Sequence, residues 1–199
     1  MSRYDVIIIG AGPGGIFAAY ELAKKAPELK VAVFEAGNSL EKRKCPIDGK
    51  KIKSCINCKT CAIMSGFGGA GAFSDGKYNI TNDFGGTLYE YIGKDTAIDL
   101  MKYVDEINLA YGGEGTKMYS TAGTDIKKLC IQNELKLLDA SVRHLGTDIN
   151  YIVLENLYKE LKEKVEFRFN YRVDELEAVD GGYRVISGAS TDECEEGII

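Results

Sequence analysis

With 199 residues, 45% hydrophobic and 28% charged, the chain is long enough for one sizeable globular domain and too ordinary in composition to be disordered or fibrous. A net charge of −5, with Lys and Arg scattered rather than gathered into a stripe, argues against a nucleic-acid partner. No apolar run approaches the roughly 18 residues of a membrane span. The chain enters a strand at Asp5 with no signal peptide, so the expectation is a cytoplasmic protein, a setting in which structural disulfides are rare.

The informative stretch comes first. Asp5-Val6-Ile7-Ile8-Ile9 is a β-branched run that reads as a strand buried on both faces. The turn Gly10-Ala11-Gly12-Pro13-Gly14-Gly15 follows. Ile16 to Lys25 reads as a helix, and Val31-Ala32-Val33-Phe34 as a second strand ending in Glu35. Each part has a physical task at a dinucleotide. Gly10 turns the chain sharply, Gly12 lets a pyrophosphate approach the backbone, and Gly15 lets helix and strand pack closely. The helix N-terminus offers unpaired N–H groups and a partial positive charge. Glu35, twenty residues after Gly15, can accept hydrogen bonds from both hydroxyls of a ribose. It would repel a 2′-phosphate, which favours FAD or NAD over NADP. A glycine turn in some other parallel α/β protein would not require an acid at that point.

Residues 37 to 61 hold six lysines, Arg43 and four cysteines, and read as a loop outside the core. Cys55, Cys58 and Cys61 are each separated by two residues, with Cys45-Pro46 upstream. Three readings stay open: a tetrahedral zinc site, an iron–sulfur centre, or redox thiols, beside the plain case of unligated cysteines. Cys130 and Cys194 read as inert. Residues 65 to 76 form a second glycine-rich stretch, tolerated where backbone passes close to something flat or charged. Helical periodicity follows from Lys94 to Ala110, ended by Gly112-Gly113. Another helix starts near Thr124 or Asp125 and carries Ile126, Leu129, Cys130 and Leu137 on one side. A third, capped by Asp148, runs to Lys164. Between them lies Arg143-His144, with the single histidine of the chain. His144 could deliver a proton to a substrate, or bind a carboxylate together with Arg143, or simply hydrogen-bond a loop carbonyl. Lys77 and Asp75 could face a bound ring or face solvent; Tyr78, Tyr111 and Tyr119 read as packing. From Val165 the period changes to two, and Asp180-Gly181-Gly182 signals a hairpin. A third strand of that meander is expected to continue to Ile199.

The N-terminal strand, turn and helix resemble those of the two-dinucleotide-binding-domain flavoproteins. The run from Cys61 to Thr81 (CAIMSGFGGAGAFSDGKYNIT) and the segment Arg143 to Asp148 (RHLGTD) resemble a bacterial family of FAD-dependent dehydrogenases of unassigned substrate. The resemblance implies a Rossmann-like α/β fold divided at residues 1–84 (dinucleotide unit with the cysteine and glycine loops), 85–147 (helical insertion) and 148–199 (helix and β-meander). It implies FAD held by Gly10, Gly12, Gly14, Gly15 and Glu35. Gly68, Gly69 and Gly71 would pass near the flavin or its ribityl chain. Arg43 would reach a phosphate oxygen, or else be a solvated loop charge. His144 and Lys77 are the catalytic candidates, and Cys45, Cys55, Cys58 and Cys61 the candidate zinc or iron–sulfur ligands. The function implied is hydride transfer through flavin, with NAD(P)H a possible donor and a small molecule as substrate. A non-catalytic cofactor- or metal-binding module and an RNA-modifying flavoprotein are the alternatives. The resemblance spans only the N-terminal half of a typical family member, so the chain is expected to be a fragment whose open strand edge at Asp5–Ile9 invites self-association.

Overall fold

A computed structural model describes residues 2–195. In chain order the elements are β1 (Arg3–Tyr4), β2 (Val6–Ile9), α1 (Pro13–Lys25), β3 (Val31–Glu35), β4 (Lys77–Ile80), α2 (Leu88–Ile92), α3 (Lys94–Asn108), β5 (Met118–Ser120), α4 (Ile126–Gln132), β6 (Ser141–His144), α5 (Thr147–Leu161), β7 (Glu166–Phe169), β8 (Glu175–Val179), β9 (Gly182–Ser187) and β10 (Ser190–Cys194). They form two compact units, the described residues up to Phe73 with those from Leu154 onward, and Ser74–Val153.

The first unit is built on a parallel sheet in the order β2-β3-β7. All five residues of β3 are buried, as a strand paired on both edges and covered on both faces requires. α1 packs on β2 and β3 and buries Ile16, Ala19 and Ala23, two alanines that allow close approach. A second sheet, β1-β10-β9-β8, pairs β1 parallel to β10 and the other strands antiparallel. One extended segment therefore serves both sheets, leaving the second after Tyr4 and joining the first at Val6. Tyr4, Ile7, Phe34, Val185 and Cys194 share one core, with Tyr171 and Val173 packed against it.

The segment from Val165 differs from the expectation that it opens the meander. Glu166–Phe169 is the third parallel strand, and the meander starts only at Glu175. Alternation of Phe167 and Phe169 with polar residues suits any half-buried strand, so period alone does not tell the two apart. The third meander strand is β10; residues 196–199, where the sequence suggests its continuation, lie outside the described residues.

The second unit carries an antiparallel sheet in the order β4-β6-β5 beside α2, α3 and α4. β5 and β6 fall inside the stretch that reads as helical from 85 to 147. α3 ends in a wide turn in which Gly112 sits at φ +126°, a conformation open to glycine, as the Gly-Gly pair suggests. α4 stops at Gln132, short of Leu137. α5 begins at Thr147, which puts Asp148 within its first turn rather than at its cap, where the helix dipole still favours a carboxylate. Among the described residues no helix is long and apolar enough to cross a membrane.

Candidate functional site

At the turn between β2 and α1, Gly10 adopts φ +99° and its N–H donates to the Phe34 carbonyl at 2.8 Å. A Cβ on Gly15 would lie 2.0 Å from the Gly10 carbonyl oxygen and 3.1 Å from Ile8 Cγ2, so this position admits only glycine. Gly10, Gly12 and Gly14 differ, because a Cβ there meets nothing within 4 Å. The first turn of α1 contains no acid, no side chain caps it, and Pro13 contributes no N–H. The positive end of the helix is thus flanked by bare glycine backbone with no side chain on it.

Glu35 closes the other side. The residue is 6% exposed; its Oε2 accepts from Ala11 N–H at 2.7 Å, and Oε1 from Gly37 N–H at 2.7 Å and Gly66 N–H at 2.9 Å. A carboxylate has about four lone-pair positions, so acceptor capacity remains for a ligand hydroxyl.

The second glycine stretch lies directly on the first. Gly68 N–H donates to the Ala11 carbonyl at 2.8 Å, and a Cβ on Gly69 would come within 3.2 Å of Gly12 Cα. Gly71 has nothing within 4 Å of its Cβ position. Phe67 anchors the stretch, fully buried with ring centroids 4.9 Å from Tyr158 and 5.7 Å from Phe167. Arg43 holds it from the other side. Its Nε donates to Ala62 O at 2.9 Å, Nη1 to Phe67 O at 2.7 Å and Gly69 O at 2.8 Å, and Nη2 to Ile63 O at 2.7 Å, while the guanidinium lies 4.8 Å from the Phe73 ring centroid. Burial pulls this guanidinium below its ordinary value, with Glu35 and Cys61 opposing the shift. Arg43 is therefore no solvated loop charge: four main-chain carbonyls take four of its five donors. Gly37 and Gly66, which sequence reasoning left out, are as constrained as Gly15. A Cβ on Gly37 would sit 2.4 Å from Gly66 N, and one on Gly66 2.6 Å from Arg43 Cδ. The available signal was Gly37 two residues beyond the acid, where a side chain would block the Gly66 contact.

In the second unit, Lys77 and His144 are direct partners across β4 and β6, and both are exposed. Lys77 pairs with Asp75 at 2.6 Å, with each side chain more than half exposed, so the pair adds little to stability. Arg143 does not join His144, since successive strand residues face opposite ways. Instead it grips Asp105 through Nε at 2.7 Å and Nη2 at 2.8 Å, and donates from Nη1 to Thr116 O at 2.7 Å. Tyr78 donates from its hydroxyl to Asn150 Oδ1 at 2.8 Å, a packing role.

Cys45, Cys55, Cys58 and Cys61 are unpaired and exposed, and all four line one cavity of about 280 Å³ in the first unit. Among the described residues no group of three or more His, Cys, Asp or Glu side chains stands in an arrangement that could hold a metal ion. Burial pushes the Cys194 thiol up, in keeping with an inert core position.

Comparison with known proteins bears on the same elements. The Thi4 family model matches residues 1–41, the stretch from β1 through Glu35. The thiamine thiazole synthase of Yarrowia lipolytica is 64% identical over 33 residues, 17% of this chain and 10% of that protein. The Fusarium oxysporum enzyme of the same name is 57% identical over 35 residues, 18% of this chain and 11% of that protein. These relatives are fungal, whereas the resemblance in the sequence pointed to a bacterial family, and the likeness is confined to a short segment. In structure, the chain is similar along its whole length to the glycine oxidase of Geobacillus kaustophilus, with a TM-score of 0.53 at 16% identity. It spans 55% of that enzyme's length. The parallel sheet, the glycine turn and this likeness together give the chain a Rossmann-type α/β fold.

Proposed function

We propose that the chain binds FAD through the first unit and serves an FAD-dependent oxidoreductase. The observation that carries the reading is bare backbone at Gly10, Gly12 and Gly14, where an added Cβ meets nothing within 4 Å, beside an uncapped helix N-terminus and Glu35. A diphosphate fits there because backbone N–H groups and the helix dipole favour an anion and no Cβ intervenes. The Glu35 carboxylate keeps acceptor capacity for one ribose hydroxyl and repels a 2′-phosphate, which selects FAD over an NADP-type ligand. Gly68, Gly69 and Gly71 carry bare backbone past the same turn. When bound, FAD supplies two-electron acceptance from a small-molecule substrate, or from NAD(P)H as donor. The protein's part is to orient the ligand and exclude water. His144 and Lys77 are the candidates for holding and moving a proton at the substrate. The match to thiamine thiazole synthases is confined to the segment that carries the glycine turn and Glu35, so it carries no reaction over to this chain.

The test is titration of the purified chain with FAD, followed by flavin absorbance and fluorescence, for the parent protein and for Gly12→Ala. Saturable binding that falls about tenfold or more in the variant supports the reading. Equal binding by both, or none by the parent, overturns it.

A further inference from the structure

The loop between Arg43 and Ile63 is organised around its cysteines. Arg43 fastens its two ends together by donating to Ala62 O at 2.9 Å and Ile63 O at 2.7 Å. Inside the loop, Asp48 Oδ1 accepts the N–H groups of Lys50, Lys51 and Ile52 at 2.8, 2.8 and 2.9 Å, and Gly49 takes φ +72°. The N–H groups of Asp48 and Gly49 in turn donate to Ile52 O at 3.1 and 3.2 Å. This tight reversal brings Cys45 back beside Cys55 on one cavity. A second reversal follows at Asn57, which takes φ +51° and points its N–H at Cys55 Sγ, 3.4 Å away. The Cys55 thiol in turn donates to Asn57 Oδ1 at 3.6 Å. Cys58 and Cys61 follow at two-residue spacing on the same cavity. Pro46, Ile47, Ile56 and Ala62 supply the apolar part of its wall and Asn57 a polar one, and no carboxylate or imidazole lines it.

We propose that Cys45, Cys55, Cys58 and Cys61 form a four-thiolate site for a thiophilic metal centre, either one tetrahedral zinc or iron ion or an iron–sulfur cluster. Four sulfurs without a carboxylate select such centres over magnesium or calcium. The sulfurs are not in ligand geometry in this structure. The loop has no helix or strand to resist their approach, so binding draws them together and orders the loop at the same time. Because Arg43 also holds Phe67 and Gly69, the centre would be tied to the glycine stretch through one side chain.

The experiment measures metal and acid-labile sulfide in anaerobically purified chain, before and after reconstitution with Zn²⁺ or with Fe²⁺ and sulfide. It includes Cys58→Ser and Cys45→Ser, with Cys130→Ser as a control outside the loop. One zinc or iron per chain without sulfide assigns a single ion; iron with matching sulfide assigns a cluster; either supports the proposal if metal content falls at least tenfold in both loop variants and is unchanged in the control. Co²⁺ titration of chelator-treated parent protein gives a second readout, with intense tetrahedral-thiolate absorption expected. Protein that stays metal-free after reconstitution, thiols recovered only as disulfides, or metal that survives both loop substitutions overturns the proposal. The measurements are made on FAD-free protein, so their outcome is independent of flavin binding.

Discussion

At the scale of single residues, the glycines of the first turn divide by what surrounds them. Gly15 is required by the fold, because its missing Cβ would lie 2.0 Å from the Gly10 carbonyl. Gly15→Ala is expected to cost about 3 kcal/mol, the upper end of overpacking effects, seen as a lowered denaturation midpoint in the ligand-free chain. Gly12 has open space instead, so Gly12→Ala should hold stability within about 1 kcal/mol, roughly the cost of a poorer helix cap, while losing ligand. Glu35 combines the two roles. Glu35→Gln keeps the shape but turns an amide N–H₂ toward backbone donors, and its expected cost is about 1.5–3 kcal/mol together with weaker FAD retention. A Glu35→Gln chain as stable as the parent would show that those three backbone bonds contribute little.

At the scale of elements, the site depends on holding an irregular loop still, and here the sequence is only partly legible. Strand, glycine turn, helix and acid lie within thirty-five contiguous residues, and each constrains the next, so the unit from β2 to β3 can be read directly. The role of Arg43 cannot be read that way. Its partners are four main-chain carbonyls, and a carbonyl carries no residue-specific mark in a sequence. β5 and β6 are hidden for another reason: strands of three and four residues are too short to display a period inside a stretch patterned like helices. The anchoring argument makes its own prediction. Arg43→Met keeps the aliphatic bulk but strands four carbonyls, at about 3 kcal/mol or more. Hydrogen exchange should then show loss of protection at Phe67, Gly68 and Gly69, whose N–H groups bond Asn38, Ala11 and Gly66 carbonyls, with β8 and β9 unchanged. Uniform loss of protection would mean that Arg43 supports the whole unit rather than this loop.

At the scale of the whole molecule, the two sheets of the first unit are joined by one ionisable network, and that network sets how stability responds to pH. Arg168, on the parallel sheet, donates to Asp192 Oδ2 on β10 at 2.8 Å, to the Tyr4 hydroxyl at 2.6 Å and to Ser2 Oγ at 3.1 Å. The Tyr171 hydroxyl also donates to Asp192 Oδ2, at 2.8 Å. Burial alone would push the Asp192 carboxyl up, but Tyr171, the Ser2 N–H and Arg168 together hold it below its ordinary value of 3.8. A depressed folded value means that this carboxylate adds stability above 3.8, and that the contribution is lost as pH falls through the lower folded value. Tyr171 moves the other way: burial first, then its bond to Asp192, pushes the phenol from 10.0 up to about 12. The folded chain therefore holds that proton more tightly than the unfolded one, and the stability it adds is present below 10.0 and lost as pH rises toward about 12. Tyr4 is shifted upward as well, by burial and then by its bond to Glu166, so the alkaline response has two sources. Denaturant midpoints measured across pH separate them. Tyr171→Phe should flatten the alkaline fall in part and also shrink the acid fall without abolishing it, because Arg168 and Ser2 still hold Asp192. Asp192→Asn should flatten the acid fall and lower stability at neutral pH by about 1.5–3 kcal/mol, since Arg168 loses its carboxylate on β10 but keeps Glu166 Oε1 at 2.9 Å. An acid fall that persists unchanged in Asp192→Asn would place the acid sensitivity in carboxylates outside this junction, and Arg168 would then join the two sheets through its bonds to Tyr4 and Ser2 rather than through Asp192.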